Sequence, residues 1–290
     1  MRGAALSRSG ALGARACARI ADMSERWRVK PGQNVRLSQL DPASTSGAPG
    51  NREETEAVFS DLHAELGELQ DRLWAEARRS ILIVLQAMDA GGKDGTIKHV
   101  FAGVNPQATR VTSFKQPTPL ESGHDFLWRV HKAAPAAGEI GIFNRSHYED
   151  VLVVRVHRLV PAATWEPRFE LINAFEEILR NGGTTVLKLF LHISKEEQQR
   201  RFEERSGRPD KQWKLQPSDL TERGYWSEYQ AAYEDVLNRT STEHAPWYVV
   251  PSDHKWYRNW AVSRILIDAL RRMDPQYPPP RENPDRADNH

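Results

Sequence analysis

Apolar residues recur along the central part of the chain with two alternating spacings. Residues 51–79 begin with Asn51, a helix-capping residue type, and carry apolar side chains three and four positions apart, which predicts one long helix. Short runs rich in β-branched and aromatic residues follow, separated by segments with helical spacing. The predicted strands are 81–85, 110–114, 139–143, 185–193 and 247–250, and the predicted helices are 96–102, 122–132, 165–180, 195–205, 219–239 and 256–271.

This alternation predicts one doubly wound α/β domain, with a parallel sheet of about five strands and helices on both faces. The domain covers residues 27–273. Residues 1–26, rich in arginine and poor in acids, predict a disordered leader, either an organelle transit peptide or a misassigned start ahead of Met23. Residues 31–50 predict an extended arm on the surface, and residues 274–290 predict a disordered tail.

The charge balance limits the classes of partner. Forty basic residues stand against thirty-nine acidic ones, a net charge of +1, so no overall field attracts nucleic acid or an anionic membrane, and any polyanion site must be a local patch. No apolar run approaches the roughly 18 residues that span a bilayer. The single cysteine, Cys17, suits a reducing compartment. We therefore expect a cytoplasmic protein that binds neither nucleic acid nor membrane.

The stretch QAMDAGGKDGTIKHV, residues 86–100, almost spells a phosphate-binding P-loop. The usual pattern is G-x-x-x-x-G-K-[ST], but Ala87 replaces the first glycine and Asp94 replaces the magnesium-binding hydroxyl. The stretch follows an apolar strand, and doubly wound sheets bind ligands at the carboxyl ends of their strands. A glycine-rich turn with a solvated lysine is the alternative. The predicted phosphate contacts are Ala90, Gly91, Gly92, Lys93, Asp94, Gly95 and Thr96.

Acidic residues in this loop indicate a bound cation. Asp89 and Asp94 would weaken anion binding unless a metal ion were present, and Mg²⁺ prefers carboxylates together with phosphate oxygens. After the third predicted strand comes FNRSHYEDV, in which Asn144 stands where P-loop enzymes normally hold an acid. Arg145 is expected to face the phosphates. His147 could act as a base, but an ionised phosphate acceptor needs none, so a structural hydrogen-bonding role is favoured.

The segment after the fourth predicted strand is dense in charge. It is either a solvated helical hairpin or a mobile lid over residues 200–226, and its position favours a lid whose arginines close over phosphate and exclude water. Its basic residues are Arg200, Arg201, Arg205, Arg208, Lys211, Lys214 and Arg223.

Five long motifs together resemble the polyphosphate kinase 2 family over residues 27–270. They are VLQAMDAGGKDGTIKHVFAGVNPQ, SFKQPT, FLWRVHKAAPAAGEIGIFNRSHYEDVLVVRV, KLFLHISKEEQQRRFEER and STEHAPWYVVPSDHKWYRNWAVSRIL. The resemblance implies a P-loop kinase-like fold with a helical lid, Mg²⁺ or Mn²⁺, and reversible phosphoryl transfer from inorganic polyphosphate to adenine or guanine nucleotides. FNRSHYEDV is most similar to class III, whose members convert AMP to ADP and ADP to ATP. Other classes usually carry aspartate at Asn144. A dimer or tetramer is also implied.

The resemblance also assigns roles to individual residues of this sequence. The implied catalytic residues are Asp89, Lys93, Arg145, Arg205 and Arg208. Nucleotide and phosphate contacts add Asn144, Arg145 and Arg223 to the loop residues above. The implied polyphosphate path consists of Lys93, Lys115, Arg155 and Lys188. The implied metal ligands are Asp89, Glu149 and Asp150.

Two other functions fit parts of the sequence. An ATP-dependent small-molecule kinase of the same fold would need a normally spelled loop and a base near the acceptor. A non-catalytic polyanion binder would show steep salt dependence but would leave the acids of the loop and of FNRSHYEDV unexplained, because carboxylates weaken a pure anion site.

Overall fold

The computed structural model describes residues 24–210, 212–214 and 218–280. Six strands form one sheet in the order β1-β6-β5-β2-β4-β3. Strands β2 to β6 pair in parallel, so all five predicted strands and the doubly wound class are confirmed, whereas β1 pairs antiparallel with β6. The strands are β1 (Arg28–Val29), β2 (Ser80–Ala87), β3 (Thr109–Ser113), β4 (Ile140–Asn144), β5 (Thr184–His192) and β6 (Trp247–Pro251).

Helices connect the strands and cover the sheet. Short 3₁₀ turns at Leu37–Gln39, Pro106–Ala108, His147–Asp150 and Gln212–Lys214 complete the connections. The helices are α1 (Arg52–Ala57), α2 (Phe59–Glu76), α3 (Lys93–Val100), α4 (Pro119–Ser122), α5 (Trp128–Ala133), α6 (Val153–Val156), α7 (Ala162–Trp165), α8 (Arg168–Asn181), α9 (Lys195–Ser206), α10 (Ser218–Gly224), α11 (Trp226–Thr240) and α12 (Lys255–Met273).

Several predicted helices are divided in the structure. Asn51 caps α1 through a reciprocal pair of hydrogen bonds with Glu54, as its residue type indicates, but the long predicted helix is interrupted at Val58. The predicted helix over residues 165–180 is replaced by α7 and α8, because Pro167 has no N–H with which to continue the first of them.

The two faces of the sheet carry separate apolar cores. Along β2, Leu82 and Val84 point into the core formed with α8 and α11, while Ile83 and Leu85 point into the core formed with α2 and α12. All eight residues of β2 are buried, as expected for a strand covered on both sides. Within the described ranges, no helix is both long and apolar enough to cross a membrane.

The chain that leads into the predicted arm and the arm itself are anchored on opposite faces of the sheet, so the arm does not lie wholly on the surface. Trp27 packs edge-on against Trp260 in the core of α2 and α12, whereas Val35 is buried in the opposite core, where its N–H donates to Asn238 at 2.7 Å. The domain begins earlier than predicted, because Ser24 is buried and its hydroxyl donates to Asp268 at 2.7 Å. Residues 1–23 of the predicted leader, including Cys17, lie outside the described residues.

The predicted tail begins where α12 ends. Residues 274–280 are described, and the N–H of Gln276 donates to Glu76 at 3.2 Å, so the first part of this segment is attached to α2. Residues 281–290 lie outside the described ranges, and the prediction for them is untested.

Candidate active site

A tight loop joins the end of β2 to the start of α3. The N–H of Gly91 donates to the Met88 carbonyl at 2.9 Å, and both Ala90 (φ +57°) and Gly92 (φ +108°) adopt left-handed backbone conformations. A Cβ atom placed on Gly91 would lie 2.6 Å from the Cβ atom of Ala87, which no side chain could accept. The compact turn therefore depends on glycine and directs the first amides of α3 outward.

Lys93 begins α3 and folds back over the loop. Its Nζ donates to the Ala87 carbonyl at 2.9 Å. Burial and the nearby Arg145 lower the pKa of Lys93 to about 8, although Asp89 and Glu149 act in the opposite direction. A phosphate beside Lys93 would favour its charged form, because an opposite charge offsets the cost of burial. The Thr96 hydroxyl is buried and donates to the Gly92 carbonyl at 3.1 Å, so it serves the helix rather than a ligand.

The second motif meets this loop at the ends of β2 and β4. Arg145 (φ +62°) directs Nη2 to Asp89 Oδ1 at 3.0 Å and Nη1 to within 3.8 Å of Glu149 Oε2. Burial lowers the pKa of Arg145, but Glu149 and Asp89 outweigh it and raise that pKa above its ordinary value. Asn144 donates to Asp94 Oδ1 at 2.9 Å. The predicted residues of both motifs therefore form one polar cluster.

A helical segment lies beside this cluster at the predicted position of the lid. It consists of α9, the 3₁₀ turn Gln212–Lys214 and α10. Gln198 of α9 donates to the Asp89 carbonyl at 2.9 Å, and Arg223 donates to Gln198 Oε1 at 3.4 Å. Arg223 is therefore one side chain away from the loop. Lys211 and the side chain of Lys214 lie outside the described part of the chain.

Two further lid arginines, Arg205 and Arg208, have partners away from the loop. Arg208 forms an ion pair with Asp210 at 2.8 Å, and Arg205 lies over the ring of Phe202 at 5.6 Å. In this arrangement neither contacts the cluster of Asp89 and Lys93, so their predicted catalytic role requires the lid to move.

A family profile for Polyphosphate kinase 2 (PPK2) matches residues 50–278, most of the chain and all of the motifs above. The chain belongs to the polyphosphate kinase 2 family. Among its relatives, an AMP/ADP-polyphosphate phosphotransferase from Meiothermus ruber is 51% identical over 88% of this chain and 96% of that protein. An ADP-polyphosphate phosphotransferase from Rhodopseudomonas palustris is 40% identical over 88% of this chain and 92% of its own length.

Solved structures of the family have the same fold. The crystal structure of Polyphosphate Kinase 2 from Arthrobacter aurescens TC1 is similar to this chain with a TM-score of 0.87 and 44% sequence identity, covering 90% of this chain and 93% of the other. The P-loop kinase-like class with a helical segment after β5 is thereby confirmed.

Two of the three carboxylates implied as metal ligands fit a magnesium ion. Asp89 and Glu149 both approach Arg145, at the mouth of the loop. Asp150 approaches a different guanidinium: its Oδ1 lies 3.2 Å from Arg168, which also donates to the Asp150 carbonyl. The described residues contain no group of three or more histidine, cysteine, aspartate or glutamate side chains placed to hold a metal ion.

Burial raises the pKa of Asp150 to about 6, although Arg168 and Arg129 oppose that change. In this arrangement Asp150 is a structural partner of Arg168, and a metal contact by Asp150 stays a prediction.

Lys188 was predicted to line the polyphosphate path, and this prediction is wrong. The side chain is fully buried, and its Nζ contacts Glu176 Oε2 at 2.6 Å, the Thr240 carbonyl at 2.5 Å and the Tyr148 hydroxyl at 3.1 Å. Strand β5 is covered on both faces, so its lysine has no route to solvent. The positive charge of Lys188 is paired with Glu176 inside the core.

The other two members of that path do not join the cluster either. Arg155 forms an ion pair with Asp235 at 2.5 Å and lies over the ring of Trp165. It lines a cavity of about 450 Å³ together with Tyr225, and this cavity is not lined by the loop. Lys115 follows β3 at the same edge of the sheet as the loop, and its carbonyl accepts from Arg129. A polyphosphate contact by Lys115 stays a prediction.

His147 is buried beneath the second motif. Its Nε2 lies 3.5 Å from Glu176 Oε1, and its ring meets that of Phe175 edge-on. Burial lowers the pKa of His147, against the influence of Glu176. Among the described residues its ring nitrogens have no hydrogen bond of ordinary geometry, so its role is one of packing. This position is not that of a catalytic base.

Two buried arginines lie behind the loop: Arg201, which the sequence analysis assigned to the lid, and Arg258, which it missed. Arg201 donates to the Ala90 carbonyl at 2.9 Å and to Glu197 at 2.7 Å, and Arg258 of α12 lies against Gly92. Burial and the neighbouring Arg201 lower the pKa of Arg258 to about 9. The spacing of Arg258 could have predicted its burial, since it lies four positions before Val262 on the apolar face of α12.

Proposed function

We propose that this chain transfers a phosphoryl group reversibly from inorganic polyphosphate to AMP and ADP. The observation that carries the proposal is the meeting of Lys93, Asp89 and Arg145 at the ends of two parallel strands, beside an arginine-bearing helical segment. Cations and carboxylates together suit a substrate that is highly anionic and metal-bound. The names of the relatives from Meiothermus ruber and Rhodopseudomonas palustris support the same donor and acceptors.

The chain's own residues would act by alignment and by charge. The amides around Gly92 and the ammonium of Lys93 hold the donor phosphates, while Arg145 faces the equatorial oxygens of the phosphoryl group in transit. An oxygen of the acceptor's terminal phosphate forms the new P–O bond as the bond to the shortened polyphosphate breaks, and the leaving chain keeps the electron pair. The attacking oxygen is already ionised, so no base is required.

We propose Mg²⁺ or Mn²⁺ as the cofactor, held by Asp89 and Glu149 together with substrate oxygens. When bound, the ion neutralises phosphate charge at the point of cleavage. The position of Arg145 between the two carboxylates supports this arrangement. The guanidinium could then contact phosphate while Asp89 and Glu149 contact the metal ion.

We also infer a cytoplasmic homo-oligomer, either a dimer or a tetramer. Leu171 and Ile178 lie seven positions apart on α8 and are 51% and 59% exposed. Side chains seven positions apart share one helix face, so this face presents apolar surface that a second copy would cover. Light scattering of the wild-type protein and of the Leu171→Glu variant tests the proposal, which is abandoned if both are monomers at micromolar concentration.

The deciding experiment mixes purified protein with long-chain polyphosphate, AMP and Mg²⁺ and separates the products by chromatography. We expect ADP first and ATP later, and parallel reactions with GMP and GDP measure base selectivity. Reactions with ATP and small hydroxyl compounds test the ordinary kinase alternative. Polyphosphate binding with steep salt dependence but no nucleotide product would favour the polyanion binder and overturn the proposal.

A further inference from the structure

Arg258 lies directly against the phosphate-binding loop. It belongs to the first turn of α12 and is only 2% exposed. A Cβ atom placed on Gly92 would lie 1.9 Å from Nη1 of Arg258, and one placed on Gly95 would lie 3.3 Å from its Nη2. The guanidinium therefore occupies the space that side chains at two loop positions would need.

The charge of Arg258 is not balanced within the described part of the chain. Its Nε and Nη2 both donate to Asn259 Oδ1, at 3.2 and 2.8 Å, and this acceptor is a neutral amide. No carboxylate of the described residues lies in ion-pair range of the guanidinium, and the nearest charged influence on it is the like charge of Arg201. The two hydrogen bonds to Asn259 satisfy part of the guanidinium, but no opposite charge within the described residues balances it.

Arg201 shows what a satisfied arginine looks like at the same place. Its Nε donates to Glu197 Oε1 at 2.7 Å, and its Nη atoms donate to the carbonyls of Ala90, Ser252 and Asp253. Its charge is paired, and its donors are used by the fold. Arg201 thus ties the loop to α9 and to the end of β6, whereas the two hydrogen bonds of Arg258 are to its own neighbour Asn259 rather than to the loop.

A buried, unpaired charge is costly, so it persists where a ligand of opposite charge completes it. The loop beside Arg258 is the site at which an anion is expected to bind. We propose that Arg258 is a substrate-binding residue that supplies positive charge to the polyphosphate held in the P-loop. This inference rests on the proposed function, since it takes polyphosphate as the anion.

The sign of the stability change separates a binding role from a structural one. If Arg258 serves the anion, removing its charge relieves the ligand-free protein of an unpaired cation. If it serves the fold, removing it destabilises the ligand-free protein. Arg258→Met keeps the aliphatic stem while removing the charge, and Arg258→Lys keeps the charge while losing the planar fork.

The test measures polyphosphate affinity at fixed Mg²⁺ by calorimetry, and the melting temperature with and without polyphosphate. For Arg258→Met we expect about 10- to 100-fold weaker polyphosphate binding, the loss of one charged hydrogen-bonding group. We also expect a melting temperature without ligand that is equal to or above that of the wild type, a smaller rise on adding polyphosphate, and an unchanged KM for AMP. Arg258→Lys should recover part of the affinity.

Arg264→Gln is the matched control, because Arg264 is a partly buried arginine two turns further along α12 with Glu65 and Asp268 nearby. It should bind polyphosphate as the wild type does. Wild-type affinity in Arg258→Met, or a lower melting temperature with an undiminished rise on adding polyphosphate, overturns the inference, as does failure of that variant to fold. If the wild type itself binds no polyphosphate, the proposed function fails instead.

Discussion

Arg145 donates a hydrogen bond to Asp89 across the ends of β4 and β2, with Nη2 and Oδ1 3.0 Å apart. Both side chains have roles toward substrate in the proposed reaction, so the contact joins two groups that must later separate. The pair holds the arginine and the carboxylate in place while the site contains no phosphate. In the proposed reaction, substrate binding would replace this ion pair by two interactions, from arginine to phosphate and from carboxylate to metal.

Asp89→Asn should keep the fold and lose activity. The amide retains a hydrogen-bond acceptor for Arg145 but removes the charge that would bind the metal, so we expect kcat to fall by at least about 100-fold. The melting temperature should stay within a few degrees, because Asp89 lies in a loop and its backbone contacts remain. Steady-state kinetics and calorimetry measure the two effects. Asp71→Asn on α2 is the control, and a turnover for Asp89→Asn equal to that of this control contradicts the assigned centre.

Arg208→Ala should lower turnover more than it weakens nucleotide binding. Arg208 pairs with Asp210 in the arrangement described, so its catalytic contact forms when the lid closes in the transition state. We expect kcat to fall roughly 10-fold or more while the KM for AMP changes less than about 3-fold. Arg205→Ala should behave likewise, and Arg180→Ala on α8 should have no effect. Normal turnover in both lid variants assigns this segment to structure.

Lys188→Met should destabilise the fold without weakening polyphosphate binding. The substitution leaves Glu176 buried without its cation, at a cost of about 3–5 kcal/mol in the free energy of unfolding. Denaturant titration measures this loss, and the double variant Lys188→Met with Glu176→Gln should recover part of it because no charge is then left behind. A stable Lys188→Met protein with a raised KM for polyphosphate would restore the path predicted from the sequence.

Stability should fall in weak acid through His192. Its Nε2 donates to the Leu40 carbonyl at 3.1 Å, and burial lowers its pKa below 6.5 despite that contact. Below pH 6.5 His192 therefore binds a proton more readily in the unfolded chain than in the folded chain. The free energy of unfolding falls by up to about 1.4 kcal/mol per pH unit. Above pH 6.5 both states are neutral, so this effect disappears.

Denaturant titrations between pH 7.5 and 5.0 measure this dependence. His192→Gln should show a shallower loss of stability than the wild type over the acidic part of that range, and His124→Gln, which changes an exposed histidine, should follow the wild type. Parallel curves for His192→Gln and the wild type contradict the assignment.

The sequence identified the phosphate loop because of a simple geometric rule. Parallel strands end at one edge of the sheet, so motifs after β2 and β4 had to meet, and Asp89 and Arg145 do. The strand β1 was missed because two residues are too few to show a period. Lys188 was wrongly predicted to contact polyphosphate because its buried partner, Glu176, lies on a different element, and the local sequence does not indicate such a pair.

Arg258 was overlooked for a different reason. A single arginine within an apolar helical pattern looks like a tolerated exception, and only the folded chain reveals that α12 brings it to Gly92. Arg208 was identified as a lid residue from its position, yet its pairing with Asp210 depends on a local turn that composition does not determine. The order of strands along the chain therefore predicted which motifs meet at the edge of the sheet. It did not predict the hydrogen-bond and ion-pair partners of individual side chains.

The arm at the start of the domain connects layers that are otherwise separated by the sheet. Trp27 is part of one core, whereas Val29, Val35 and Leu37 are part of the other. Strand β1, which contains Val29, pairs with β6. Detaching this single segment uncovers apolar surface on opposite sides at once. We expect deletions that extend past Trp27 to lower the melting temperature and to promote aggregation, because they expose apolar surface of both cores.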